Sequence, residues 1–335
     1  SEGGLVVTGQ QASYLDSTGI LTIPGPVEFS KGRMKGSGLN ATYDRTREVL
    51  WIQEQARVTV APDPKTGDPG SDASANAIGL ARAEHYLRLA GNGRLTSEGR
   101  TLEAEEIVIR LTDDDQHVRA MELRGNSRIT GGAGGPQSMS ARDIDLAYAE
   151  DGRTLQTARL VENAVVQLDP ASGKRVSGRT IDIGMGPNGT TVTRLQANEQ
   201  VQVDLPAEGA SPAKQIQAAS LAAEGPPDKG LQRATFTGNV VYTEPRRGRA
   251  NGSTADRSAR SDTLVVDTKP GLAAIDRREG LPLRRASQWR DACRNGDGRC
   301  DLRGVETGQR AASGHAVIER PDRSNVHVAR HDLHA

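Results

Sequence analysis

The sequence predicts an all-β protein whose antiparallel strands recur in strand-turn-strand repeats of about 36 residues. Three observations support this prediction: a short tag returns at near-constant intervals, apolar residues alternate with polar ones, and turn-forming residues separate the alternating segments. The composition agrees, because the 335 residues include 38 Gly and 16 Pro but only 3% aromatic residues. A single compact core of this length is normally richer in large side chains. Many thin, repeated elements account for the composition better.

The first tag is a short polar residue, usually Asn, with an apolar residue three positions later. Its copies stand at Asn92, Asn126, Asn163, Asn198 and Asn239. The intervals between them are 34, 37, 35 and 41 residues, and Gln55 stands in the same frame 37 residues before Asn92. A period held over this many copies predicts an array of structural repeats.

The second tag is a small residue followed by apolar residues at every second position. Its four copies begin at Ala104, Ala141, Gly178 and Ala259. In the first copy Ile107, Ile109 and Leu111 alternate with polar or outward residues. A period of two places the apolar residues on one face, which predicts half-buried strands rather than helices.

Turn-forming residues lie between the alternating segments. Gly, Asn, Asp and Pro cluster at 150–153, 186–189 and 225–230. These residue types supply the positive or preset φ angles that a chain reversal needs. Each repeat is therefore predicted to be a strand, a tight turn and a returning strand.

The two tags, repeated in register, resemble the OstA-like periplasmic proteins of lipopolysaccharide export, the LptA/LptC group. The resemblance covers residues 10–276 and resumes at Ser313, where SGHAVIE echoes TGNVVYT. It implies an elongated antiparallel two-sheet open jelly roll, or β-taco, with more repeats than is usual for the family.

Three segments follow from this interpretation. Residues 1–280 are predicted to form a continuous repeat array, residues 281–312 an insertion that the family pattern does not contain, and residues 313–335 a resumed array that is incomplete at its C-terminus. The insertion carries Cys293 and Cys300. Their spacing is compatible with one small disulfide loop, which is the favoured interpretation, or with two free thiols.

The resemblance implies a non-enzymatic protein that binds lipopolysaccharide, or another acylated glycolipid, and bridges the periplasm. Acyl chains would be shielded from water in an apolar groove, with a gain of about 0.8 kcal/mol per buried methylene. The inward positions of the predicted strands are the groove candidates: Val58, Val60, Ile107, Ile109, Ile129, Ile144, Leu146, Val166, Leu168, Ile181, Ile183, Val201 and Val203.

The predicted partners, besides the lipid, are other β-jellyroll transport proteins. An array of strands leaves an unpaired edge at each end, and such an edge can pair with a strand of another chain. The segments expected to pair are Leu5-Val-Val-Thr and Val326-His-Val-Ala. A periplasmic location is expected, and the start at Ser1 leaves open a signal peptide or anchor before it. Nucleic acid is not an expected partner, because the formal net charge is zero.

Two alternatives remain open on the residues alone. Any two-sheet sandwich needs an inner apolar stripe, so a structural or adhesive module with a closed core fits the same pattern. A carbohydrate-active β-solenoid is the other, although the matching outward positions Glu106, Asp143, Thr180 and Ser261 vary and argue against a catalytic ladder.

No cofactor or metal ion is predicted. His327 and His331 share a face of the last strand, but His334 falls on the other face, which argues against a zinc site. The cysteine-bearing insertion lacks the first Asp and the final Glu of a calcium-binding loop.

Overall fold

The computed structural model describes residues 4–65, 67, 69–115, 117–132, 134–169, 173–207, 212–244, 257–267, 272–276, 315–319 and 327–330. All regular structure in these ranges is β, which confirms the predicted fold class. None of the described segments is a helix with the length and apolar character needed to cross a membrane.

The strands, in chain order, are β1 Val6–Gly9, β2 Ser13–Leu15, β3 Ile20–Lys31, β4 Met34–Asp44, β5 Val49–Val60, β6 Ser71–Ala75, β7 Ala77–Ala81, β8 Tyr86–Ser97, β9 Arg100–Leu111, β10 Val118–Gly131, β11 Ser138–Tyr148, β12 Leu155–Asp169, β13 Lys174–Met185, β14 Val192–Leu205, β15 Lys214–Glu224, β16 Arg233–Glu244, β17 Arg257–Asp267, β18 Leu272–Asp276, β19 His315–Glu319 and β20 His327–Arg330.

The chain divides into two compact units. Unit 1 comprises Ser1–Ala171 and Thr180–Thr191, and unit 2 comprises Ser172–Arg179 and Val192–Ala335. In unit 1 the short strands β1 and β2 both pair with β3, and β6 and β7 together lie between β5 and β8. The other strands of unit 1 up to β12 pair with their neighbours in sequence. In unit 2 strands β14 to β20 do the same, and each of these pairings is antiparallel.

Most strands are long, with 11 to 15 residues. The long strands are interrupted near their middle by β-bulges. The pairing of β8 with β9 shifts between Ala90 and Gly93, and that of β10 with β11 shifts between Arg124 and Ser127. A bulge bends a strand and increases its twist, so one long strand can contribute to both layers of the fold.

The first tag lies at these bulges. Gly91 and Asn92 have φ angles of 74° and 52°, and Gly125 and Asn126 have 74° and 50°. Gly adopts positive φ without steric cost, and Asn tolerates it better than most residues. The conformation demanded by the bulge therefore explains why Gly-Asn recurs.

Two tag positions predicted from the sequence are wrong by two residues. In the fourth copy the residues with positive φ are Glu199 and Gln200, so Gln200 and not Asn198 corresponds to Asn92. In the last copy of the second tag, Ser261 and not Ala259 faces the bulge, where it pairs with Val240. Ser261 is also buried, which corrects its expected outward orientation.

Candidate lipid-binding interior and its rims

A continuous row of buried apolar side chains crosses unit 1 on one side of the bulges. We call this inner row 1, and its members pair directly from strand to strand: Ile23, Ala41, Ile52, Ile78, Leu89, Ile107, Leu123, Ile144 and Leu160. All nine side chains are buried. Direct cross-strand neighbours have Cβ atoms about 5 Å apart, so the row is unbroken across the sheet.

A second row lies on the other side of the bulges. Inner row 2 consists of Phe29, Gly36, Val58, Ala73, Leu95, Leu102, Ile129, Met139 and Val166, again paired directly. Apart from Gly36, its members are buried. Each half of the bent strands has one apolar face, which must be packed away from water. The two halves therefore cover each other's apolar faces.

Most of the predicted groove candidates lie in this kind of interior. Eleven of the thirteen are buried: Val58, Ile107, Ile109, Ile129, Ile144, Leu146, Val166, Ile181, Ile183, Val201 and Val203. Val60 and Leu168, each near the end of its strand, are half-buried. Within each unit these side chains therefore pack against their neighbours, and they do not line an open channel.

The sequence interpretation missed the members of inner row 1 that precede the bulges. Leu89, Leu123 and Leu160 each lie three residues before an Asn of the first tag, and each is fully buried. This spacing could have predicted their burial. The residues three positions before and three positions after the Asn of the tag occupy equivalent places in the two layers.

Unit 2 contains an interior of the same kind. Ala197, Leu221, Phe236 and Leu264 pair from β14 to β17 and are all buried. Among the described residues, Phe29 and Phe236 are the only aromatic side chains in the buried apolar core. The interior is thus lined almost entirely by aliphatic groups.

Phe29 fits into unit 1 because its partner is a glycine. A Cβ placed on Gly36 would overlap Cε1 of the Phe29 ring. The ring therefore occupies the space that a side chain at residue 36 would fill.

The layer that contains inner row 1 carries cross-strand ion pairs on its outer face. Arg88 lies 2.8 Å from Glu106, and Arg110 lies 2.5 Å from Glu122. These side chains are substantially exposed, so each pair contributes at most about 1 kcal/mol. Charge outside and aliphatic groups inside give the two faces opposite chemical character.

The strand ends of unit 1 form two rims. Rim A contains the paired ends Asp44, Val49, Ala81, Tyr86 and Arg110. Rim B contains Lys31, Met34, Val60, Ser71, Ser97 and Arg100. Because the bulges lie between them, the two rims border the side of the fold opposite the bend.

Among the described residues, a polar contact between side chains joins the two rims. Lys31 Nζ at the end of β3 on rim B donates to Asp115 Oδ2, at 3.3 Å, and Asp115 follows β9 on rim A. The other carboxylate oxygen lies 2.9 Å from Nδ1 of His85, in the turn before β8 on rim A. We refer to Lys31, His85 and Asp115 as the rim clasp.

The clasp is partly shielded from solvent, with 27% of the Lys31 and 24% of the Asp115 side chain exposed. Partial burial alone raises the pKa of Asp115, but the hydrogen bonds and charges of His85 and Lys31 outweigh it and hold the pKa below its ordinary value. The carboxylate is therefore stabilised in its charged form.

A second contact between the rims involves the glycine-rich loop after β10. A Cβ placed on Gly134 would lie 2.9 Å from Cβ of Thr190, which belongs to the turn after β13 on rim A. Arg100 Nη2 on rim B donates to the carbonyl of Gly134 at 3.3 Å.

Tyr148 lies nearby, at the end of β11. Burial raises the pKa of its hydroxyl to about 12, and this hydroxyl lies 3.7 Å from Met121 Sδ.

The N-terminal edge of the sheet exposes apolar side chains. β1 and β2 pair with β3 on one side. Val6, Tyr14 and Leu15 are exposed to 58%, 47% and 59%. The predicted pairing segment Leu5-Val-Val-Thr thus lies at an edge strand. For the predicted C-terminal segment, β20 pairs with β19, and its side chains lie outside the described part of the chain.

The described ranges also have a geometry that bears on metal sites and on pockets with titratable side chains. They contain no group of three His, Cys, Asp or Glu side chains placed to hold a metal ion. An open depression of about 400 Å³ lies in unit 2 beside Gln200, Gln217 and Asn239, and its lining contains no titratable side chain. Cys293, Cys300, His331 and His334 lie outside the described residues, so the disulfide stays a prediction.

Comparison with known proteins bears on the N-terminal third of the chain. Residues 6–115 match the family described as LptA/(LptD N-terminal domain) LPS transport protein. No curated protein matches the chain. A solved structure that is similar is LptH, the LptA homologous periplasmic component of the lipopolysaccharide transport device from Pseudomonas aeruginosa. It is 25% identical, with 32% of this chain and 75% of that chain covered and a TM-score of 0.29.

Proposed function

We propose that this chain, whose residues 6–115 match the family of LptA and LptD N-terminal-domain lipopolysaccharide transport proteins, binds the acyl part of lipopolysaccharide and carries it across the periplasm. The family match is the observation that carries this proposal. The unbroken aliphatic rows support it, because they offer one chemical environment from strand to strand.

Aliphatic rows suit acyl chains for a simple energetic reason. Each methylene removed from water contributes about 0.8 kcal/mol, and inner rows 1 and 2 contain almost only Ile, Leu, Val and Ala. Since neighbouring strands present similar surfaces, the lipid would have similar affinity for successive positions. Movement along the rows would then cross only small free-energy steps, and no covalent chemistry is needed.

The proposed role is that of a bridge component, assembled by strand addition at the sheet edge. β1 at the N-terminal edge offers backbone groups, and the exposed Val6 and Tyr14 offer apolar contacts. An extended strand of another β-jellyroll protein would satisfy both.

A closed structural module is the second candidate, and a specific observation favours it. Eleven of the thirteen groove candidates are buried among protein side chains, so these side chains fill the interior. Lipid binding therefore requires the two layers to move apart, whereas a structural module would keep them together.

Photo-crosslinking separates the two candidates. An aliphatic diazirine amino acid would replace Ile109 or Ile144, which face inward, and in matched controls Val108 or Arg110, which face the outer side. Each variant is irradiated with purified lipopolysaccharide. We expect adducts from the inward positions at least ten times more abundant than from the outward ones. Adducts from Val108 and Arg110 alone would show surface adsorption and contradict the proposed interior site.

A further inference from the structure

We propose that the rim clasp of Lys31, His85 and Asp115 is a latch that holds the two layers of unit 1 together and must release before a lipid enters the interior. This inference rests on the proposed function for the identity of the ligand. The latch itself is a property of the fold that can be measured without lipid.

The positions of the three residues carry the argument. Lys31 and Asp115 are 84 residues apart in sequence and stand on opposite rims, yet their side chains meet at 3.3 Å. Other polar side-chain pairs on the strands of unit 1, such as Arg88 with Glu106, join neighbouring strands of one layer. An ion pair between rims opposes separation of the layers, whereas a pair within a layer does not.

The chemistry of the clasp suits a reversible contact. Asp115 is the hub, because each of its carboxylate oxygens has a different partner, Lys31 or His85. Loss of its charge weakens both contacts at once. About a quarter of the Asp115 and Lys31 side chains is exposed, so water can replace the contacts when the layers separate.

The interior behind the clasp is closed. Next to inner row 1, toward rim A, lies a parallel row in which Ile109, Leu146 and Ala158 are buried and Met121, between Ile109 and Leu146, is half-buried. A reagent or an acyl chain therefore reaches this row only if the layers move apart. The accessibility of residue 158 reports on that movement.

The first experiment measures this accessibility with a thiol. Ala158→Cys is introduced after Cys293→Ser and Cys300→Ser, and its rate of reaction with a polar maleimide is followed. We expect Asp115→Asn to raise the rate about tenfold. Asp151→Asn is the matched control, because Asp151 accepts hydrogen bonds from Arg153 and Thr154 in its own turn on rim A. Equal rates for Asp115→Asn and the parent would overturn the latch.

The second experiment locks the clasp. Lys31→Cys and Asp115→Cys are joined by a short bifunctional thiol reagent, and the labelling of the thiol introduced by Ala158→Cys is measured afterwards. The control joins Glu48→Cys to Arg82→Cys, a pair 3.7 Å apart whose members both lie on rim A. We expect the bridge between rims to slow labelling at least tenfold and the control bridge to leave it unchanged. Equal effects of the two bridges would contradict the latch.

Fluorescent lipopolysaccharide then distinguishes the latch from the proposed function. If the unbridged protein binds it and the bridged protein binds it ten times more slowly, both stand. If binding is equally fast in both, the latch is wrong as a gate and the function stands. If no variant binds lipopolysaccharide, including Asp115→Asn, the proposed function fails, and the labelling rates decide the latch alone.

Discussion

Asn126 shows at the scale of one residue why the repeat exists. Its φ of 50° places it in the left-handed region, where a branched side chain would clash with the backbone. Its Nδ2 also donates to Glu105 Oε1 at 2.9 Å. The conformation and not the hydrogen bond is the stricter requirement, since Gln55 and Gln200 occupy the corresponding position with another side chain and the same positive φ.

Substitutions at Asn126 test whether the backbone conformation matters more for stability than the hydrogen bond to Glu105. We expect Asn126→Gly to change the free energy of unfolding by less than about 1 kcal/mol, because glycine adopts the same φ freely. Asn126→Val should cost about 1–3 kcal/mol, because a β-branched residue is strained there. Chemical denaturation measures both. Similar losses for the two variants would mean that the hydrogen bond to Glu105 matters more than the backbone.

Asp115 predicts a dependence of stability on pH. Its pKa is lowered in the folded state, so the stabilisation is fully present above the ordinary carboxyl pKa of about 3.9 and is lost as pH falls through the lower, folded value. We expect the difference in unfolding free energy between the wild type and Asp115→Asn to be present at about pH 5 and to disappear in acid. A difference that persists in strong acid would show that Asp115 stabilises the fold by packing and not by charge.

At the scale of the strand, alternation specified the faces of the groove candidates correctly but not the position of the bulges, beside one of which Ser261 is buried although it was expected to face outward. Both corrected positions, Asn198 to Gln200 and Ala259 to Ser261, are shifts of two residues. A shift of two leaves every side chain on its original face. Val201 and Val203 therefore stay on the inner face and are buried, although the bulge includes Gln200.

The edge strand β1 gives a prediction about assembly. Proline lacks the backbone N–H that would donate to a pairing strand, and it fits poorly in a paired strand. We expect Val6→Pro to reduce concentration-dependent self-association, measured by sedimentation velocity, at least tenfold. Val6→Thr keeps the N–H and the branched side chain, so it should associate like the wild type. Unchanged association of Val6→Pro would rule out strand addition at β1.

At the scale of the molecule, the low aromatic content has a structural explanation. The 3% of aromatic residues is sufficient because each half of a bent strand needs only aliphatic side chains to cover the opposite half. A core of small aliphatic groups can also separate and close again more easily than one of interlocked rings. The composition is thus compatible with both the closed interior and the proposed opening.

The two cysteines give a prediction about the compartment. If Cys293 and Cys300 form a disulfide, as an oxidising periplasm would allow, the denatured protein should show no free thiol before reduction and two afterwards. Titration with a chromogenic thiol reagent measures this directly. Two free thiols before reduction would contradict the predicted loop.

The sequence by itself determined the all-β class, the inward faces of the groove candidates and the resemblance of the chain to lipopolysaccharide transport proteins. Each of these depends on local periodicity, which a chain carries in its residue order. Only the tertiary structure decided where the bulges lie, that the apolar stripes cover each other, and that Lys31 meets Asp115. Those features depend on how bent and twisted strands bring distant residues together, and no local pattern around residues 31 or 115 specifies that meeting.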